Sequence, residues 1–167
     1  TFFHISIKNI KFQSKYRILG VKMTIILDAM GSDNYPEPEI QGAINAANLY
    51  GEKIILVGDQ NIIEPRLTEL NTMRLPISIF HAPDMVEMGD KVVESARKKP
   101  ENSMAVGLGL VKDGTGHAFV TAGNTGAAMF NGLRTLGRIK SVSRPALCAT
   151  FPVKNGHCMV LDVGANA

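Results

Sequence analysis

The stretch Ala118-Phe119-Val120-Thr121-Ala122-Gly123-Asn124-Thr125-Gly126-Ala127-Ala128 decides the fold. An apolar run stops at Gly-Asn-Thr-Gly, and a helical pattern carrying Ala127, Met129, Phe130, Leu133 and Leu136 begins at once. A strand that turns straight into a helix is half of a parallel βαβ unit. The same turn suits an oxyanion. The first amides of a helix lack intrahelical partners, the helix dipole favours negative charge, and glycine lets a ligand reach the backbone. Two readings stand side by side. Either Gly123, Asn124, Thr125 and Gly126 hold a phosphate group, or Asn124 or Thr125 merely caps the helix, as such residues commonly do.

Upstream of that stretch, strand and helix patterns alternate. Thr24–Leu27 reads as a buried strand that delivers Asp28, Gly31, Ser32, Asp33 and Asn34 to its carboxyl end. A helical pattern (Ile40, Ala43, Ile44, Ala47) breaks at Gly51. Lys53–Val57 is a second strand closing on Gly58-Asp59, and a helix over 61–70 follows. Ile77–Phe80 is a third strand, ending at His81. An acidic loop with Glu87-Met88-Gly89-Asp90-Lys91 precedes predicted helices over Val92–Lys98 and Ser103–Lys112, with Ser103 as the cap of the second. Ala118–Thr121 is then the fourth strand. This alternation implies right-handed crossovers and a three-layer, Rossmann-like, mainly parallel α/β sheet.

Beyond Leu136 the pattern changes. Ala146–Val153 and Cys158–Val163 predict an antiparallel hairpin with Asn155-Gly156 at its turn, joining the sheet or covering its edge. In that register Cys158 faces Val153, roughly 16 Å along the strand from Cys148. A disulfide is thereby excluded. Two reduced thiols acting as small apolar packing groups are expected.

The composition suits one ordinary globular domain: 167 residues, 45% hydrophobic and 20% charged. The net charge of +3 comes from one end. Residues 1–22 hold Lys8, Lys11, Lys15, Arg17 and Lys22 and no acid, leaving 13 Lys and Arg against 15 acids elsewhere. A nucleic-acid-binding face is therefore not expected. This basic segment lies outside the expected domain of 23–167, with Met23 read as the natural start. It is read as disordered, and as either an organelle-targeting leader or an artefact. It lacks the apolar core and small-residue cleavage site of a secretory signal, and no run approaches transmembrane length.

In open α/β sheets, ligands bind beyond the carboxyl ends of the strands. Four such ends carry polar, glycine-containing loops: Asp28–Asn34, Gly58-Asp59, Gly123–Gly126 and Asp162–Asn166. Competing motifs fail. No G-x-x-x-x-G-K-[ST] string is present, and Gly107-Leu108-Gly109 lies in a helical pattern without the third glycine of a dinucleotide fingerprint. Asp28 and Asp33 suit turn stabilisation better than a metal, and His81, His117 and His157 lack metal-ligand spacing. No Ser–His–Asp or Cys–His order stands out.

Six strings occur in a recognisable order: Asp28-Ala29-Met30-Gly31-x-Asp33, Leu56-Val57-Gly58-Asp59, Glu87-Met88-x-Asp90-Lys91, Ala122-Gly123-Asn124-Thr125-Gly126-Ala127, Arg144-Pro145-Ala146-Leu147 and Leu161-Asp162-Val163-Gly164-Ala165-Asn166. The set resembles the phosphate acyltransferases of bacterial phospholipid synthesis, from Met23 to the last residue. Departures are Ser32 where glycine is usual, and Gly89 and Val92 in place of an acidic residue and a proline.

The resemblance implies reversible transfer of a fatty acyl group from acyl carrier protein to inorganic phosphate, giving acyl phosphate. It implies no metal or organic cofactor, and a fold similar to isocitrate and isopropylmalate dehydrogenases. It also implies a homodimer in the bacterial cytoplasm with peripheral membrane association in some members. Gly123, Asn124, Thr125 and Gly126 are then expected to hold phosphate or acyl phosphate. Asn124 and Asn166 are catalytic candidates. Asp28, Gly31, Asp33, Asn34, Lys91, Arg144, Asp162 and Gly164 are candidates for the surrounding rim, with Lys91 or Arg144 supplying charge.

Family members run to about twice this span, so the chain by itself is expected to have little or no activity. Rival readings are a phosphotransacetylase-like enzyme using coenzyme A thioesters, a non-catalytic phosphate-binding module, and a decarboxylating dehydrogenase of similar fold. The last lacks convincing metal and nicotinamide residues here.

Overall fold

The computed structural model describes residues 3–5 and 22–163. It forms two compact units, 1–136 and 137–167. The first is built from β1 (Phe3–Ile5), β2 (Thr24–Asp28), α1 (Glu37–Tyr50), β3 (Lys53–Gly58), α2 (Gln60–Glu69), β4 (Ile77–His81), α3 (Val92–Lys98), α4 (Ser103–Lys112), β5 (Ala118–Thr121) and α5 (Thr125–Leu136). The strand order is β1-β5-β2-β3-β4. β5, β2, β3 and β4 run parallel, and Phe3–Ile5 lies antiparallel along β5. The remaining residues of the basic segment, apart from Lys22, lie outside the described residues.

Period-two alternation on β3 splits the core into two layers. Ile54 and Leu56 share a cluster with Ala29 and Met30 of the loop after β2, Ile40 and Ala43 of α1, and Ile63 and Leu67 of α2. Ile55 and Val57 share the opposite cluster with Ile26, Met104, Leu108, Phe119, Ala127 and Ala128, which belongs to α4 and α5. Helices on both faces follow from right-handed crossovers run in opposite directions from β2. From β2 the chain steps through β3 to β4, then returns to place β5 on the other side.

Local chemistry sets the element ends. Gly51 closes α1 at φ 64°, the left-handed conformation glycine adopts without strain. Asp59 caps α2 by accepting from the Asn61 amide. The cap of α4 is Asn102 rather than the expected Ser103: its carboxamide oxygen accepts from Ala105 N–H at 3.0 Å. Ser103 is already helical and buried. Gly107 lies inside α4, where a Cβ would stand 2.5 Å from the Phe119 ring, so its glycine serves helix–sheet packing and not a nucleotide. Among the described residues no helix is long and apolar enough to cross a membrane.

The second unit holds the expected hairpin, β6 (Cys148–Val153) and β7 (Gly156–Leu161), as a two-stranded sheet of its own. It does not extend the parallel sheet. Its register differs from expectation: Val153 pairs with Gly156 and Phe151 with Cys158, which places Lys154-Asn155 at the turn. Neither turn residue takes a positive φ, and Gly156 takes φ 132° one step later. The glycine's freedom is thus used beside the turn, not at its centre. Cys148 and Cys158 are free thiols, as expected, but both are exposed rather than packed. A lone hairpin has no second layer of its own to cover them.

Candidate functional site

The strand order makes the crevice between the carboxyl ends of β2 and β5 the topological switch point, where connections leave in opposite directions. Two sequence-predicted segments meet there, the loop after Asp28 and the turn after Thr121. Their approach is close. A Cβ on Gly31 would lie 2.8 Å from Asp28 Oδ2, 2.9 Å from the Gly123 nitrogen and 2.9 Å from Thr121 Oγ1. A Cβ on Gly123 would lie 3.1 Å from Gly31 Cα. Glycine on both sides is a packing requirement of this contact.

Beneath the two loops lies a buried polar network. Asp28 is fully buried at the end of β2. It accepts from the Thr121 hydroxyl at 2.6 Å and from Met30 N–H at 3.1 Å, and the Ser103 side chain also bonds it. Burial pushes its pKa above the ordinary carboxylate value, against the lowering effect of the bonds from Thr121, Ser103 and Met30; nearby Glu39 adds to the rise. Thr121 Oγ1 in turn accepts from Gly123 N–H at 3.0 Å.

Asn124 behaves as a cap. Its Oδ1 accepts from Ala127 N–H at 3.0 Å and its carbonyl from Ala128 N–H at 2.9 Å. Its Nδ2 donates to the Met88 carbonyl at 2.8 Å, tying the turn to the acidic loop. The side chain is therefore committed at both ends. The backbone is not: the amides of Asn124, Thr125 and Gly126, and the Thr125 hydroxyl, have no partner among the described residues. Three amide donors in succession open a 12-residue helix, an arrangement whose partial positive charge suits an oxyanion.

The acidic loop is held by Asp90, which accepts from Glu87 N–H, the Ser95 hydroxyl and Lys99 Nζ. These contacts, the Glu87 amide first, draw its pKa below the ordinary value. Lys91 follows as an exposed residue at the start of α3. The next residue, Val92, reaches the turn, its Cγ2 standing 3.2 Å from where a Gly126 Cβ would lie. An open depression of about 480 Å³ lies along α3, lined by Lys91, Val92, Glu94, Arg97 and Lys98.

The structure thus brings together Asp28, Gly31, Gly123, Asn124, Thr125 and Gly126, with Met88 and Val92 against the turn and Lys91 the exposed residue before Val92. Asp33 and Asn34 sit on an exposed turn after Gly31, with Ser32 anchored by its amide to Glu39 at 3.1 Å. Arg144 is exposed within the second unit, as is Asp162, which takes φ 60°. Gly164 and Asn166 lie outside the described residues. Thr121, Ser103 and Asn102 went unnoticed as supports of the site. Thr121 carried one signal, a polar residue closing an apolar strand directly before glycine, whereas Ser103 had none because its partner is 75 positions away.

The fatty acid synthesis protein family matches residues 23–167. This chain belongs to that family. The match takes in both loops of the crevice. The chain is similar to phosphate acyltransferases of Koribacter versatilis (48% identical over 146 residues), Herpetosiphon aurantiacus (44% over 143) and Clostridioides difficile (41% over 146). The alignments cover 86%, 86% and 87% of this chain and 41%, 39% and 43% of the respective relatives. The chain therefore spans about two fifths of the length of these curated relatives.

Proposed function

We propose that this chain forms the phosphate-holding wall of a phosphate acyltransferase. In that reading the enzyme moves a fatty acyl group reversibly from acyl carrier protein to inorganic phosphate. A phosphate oxygen attacks the thioester carbonyl, the carbon–sulfur bond breaks, and acyl phosphate and carrier thiol are released. Catalysis of this kind needs a dianion held against the carbonyl carbon and donors for the developing oxyanion. The observation that carries the reading is the run of amides at Asn124, Thr125 and Gly126, without partners among the described residues and placed at the switch point of the sheet. The names of the relatives support it.

The proposed roles are as follows. The Asn124–Gly126 amides and the Thr125 hydroxyl hold the phosphate, and the Asn124 side chain shapes the turn without touching it. Lys91 supplies charge from the start of α3. Arg144, Asp162, Gly164 and Asn166 remain candidates for the site of the family-length enzyme, with Asn166 proposed to orient a ligand oxygen. The complete protein is a cytoplasmic homodimer of isocitrate/isopropylmalate dehydrogenase-like fold, associating with membranes peripherally, and the remaining three fifths complete its site.

Two measurements test this. Titration with inorganic phosphate, followed by amide NMR, shifts Asn124, Thr125 and Gly126 before other residues; an unresponsive turn sinks the reading. Acyl phosphate formation by a family-length enzyme carrying this segment proceeds with acyl carrier protein thioester. A preference for the coenzyme A thioester instead assigns a phosphotransacetylase-like activity.

A further inference from the structure

We propose that Asp28, acting through Thr121, is the positioning residue that aims the Asn124–Gly126 amides at phosphate. The inference rests on the phosphate reading above. Both Asp28 oxygens serve as acceptors, Oδ1 from Met30 N–H and Oδ2 from the Thr121 hydroxyl, while Ser103 also bonds the carboxyl. The Thr121 proton is therefore committed to Asp28, and a Thr121 lone pair is left facing Gly123 N–H. That bond fixes the peptide entering the turn. The next three amides are the ones without partners among the described residues.

Space reinforces the polarity. Asp28 is fully buried, Thr121 is 4% exposed, and Gly31 packs on both, so water does not compete for these bonds. An amide at position 28 cannot stand in for the acid. Turned one way, its NH₂ group meets Met30 N–H, a donor; turned the other, it donates to Thr121 Oγ1 and takes away the acceptor that holds the Thr121 hydroxyl hydrogen. Asp28 lies beneath the turn and contacts only its supports, so it acts on a ligand solely through the direction of the backbone.

The test uses the 167-residue chain with inorganic phosphate as the probe. Without ligand, the Gly123 amide is protected from hydrogen exchange in the parent chain and in Thr121→Ser. It becomes at least tenfold faster in Asp28→Asn and Thr121→Val. With phosphate, Thr121→Ser binds within about twofold of the parent, whereas Asp28→Asn and Thr121→Val bind at least tenfold more weakly. The double variant is no worse than either single one, because both break one chain of bonds. Thr121→Val with its serine rescue keeps the test alive if Asp28→Asn does not fold.

Unchanged Gly123 protection in Asp28→Asn or Thr121→Val overturns the relay. Parental phosphate affinity in either variant overturns the positioning role while the phosphate reading stands. A parent chain whose turn ignores phosphate overturns both, and is distinguished by its appearance before any substitution is made.

Discussion

Gly31 and Gly123, 92 residues apart in sequence, meet so closely that a Cβ on Gly123 would lie 3.1 Å from Gly31 Cα. Each glycine makes room for the other loop. Gly31→Ala would press a methyl on Asp28, Thr121 and the Gly123 backbone at once, which costs about 1–3 kcal/mol. Gly42→Ala provides the contrast, because Gly42 is exposed within α1 and a Cβ there meets nothing within 4 Å. It should stabilise the chain by about 0.5–1 kcal/mol. Urea unfolding of the two variants is expected to move the midpoint in opposite directions.

Asn124 distinguishes cap from ligand. Asn124→Ala loses the bond to Ala127 and the tie to Met88, costing about 1 kcal/mol, or about 2–4 °C in Tm. Asn124→Asp also gives up the bond to Met88 but keeps the cap and suits the helix dipole, and it sets a negative charge beside the amides that lack partners among the described residues. Thermal melts should show the aspartate variant as more stable than the alanine variant. Phosphate titration should show it at least tenfold weaker than the parent. Parental affinity in Asn124→Asp would move the anion elsewhere.

Two aspartates of the site shift in opposite directions, and their linkage to stability has opposite sign. Glu87 N–H, Ser95 and Lys99 hold Asp90 below its ordinary value of 3.8. Its contribution is complete above pH 3.8 and is lost as pH falls through the folded value. The Tm gap between the parent and Asp90→Asn should narrow accordingly on acidification. Burial raises Asp28 above 3.8, so its protonated form favours the folded chain. That contribution is complete below pH 3.8 and disappears as pH rises through the folded value. Carboxyl ¹³C titration should find Asp28 above and Asp90 below the ordinary value.

Cys148 and Cys158 occupy opposite faces of the hairpin, since Phe151 pairs with Cys158 and alternate residues point opposite ways. Both should react with a thiol reagent in the folded 167-residue chain without reductant. Protection of either thiol would mean that its face of the hairpin is covered in solution.

Periodicity and turn chemistry were enough for the parallel α/β unit. Val92–Lys98, Ser103–Lys112, Ala118–Thr121 and the end of α5 at Leu136 agree with their predicted limits. These are elements whose apolar spacing and end residues act within a few positions of one another. Register in the hairpin was not legible, because Asn155-Gly156 can place either its first or its second residue at the turn centre and each choice pairs different side chains.

The site divides along the same line. By itself the sequence determined that Gly-Asn-Thr-Gly follows a strand and opens a helix, and that a second aspartate–glycine loop follows another strand. Only the tertiary structure decided that those strands are neighbours at the switch point. It also decided that Asp28 and Thr121 bond beneath the turn, and that among the described residues the Asn124 side chain has partners while the amides of the turn have none. The reason is physical: capping is a local bond that composition reveals, whereas a hydrogen bond across 93 residues exists only once the sheet has set its strand order.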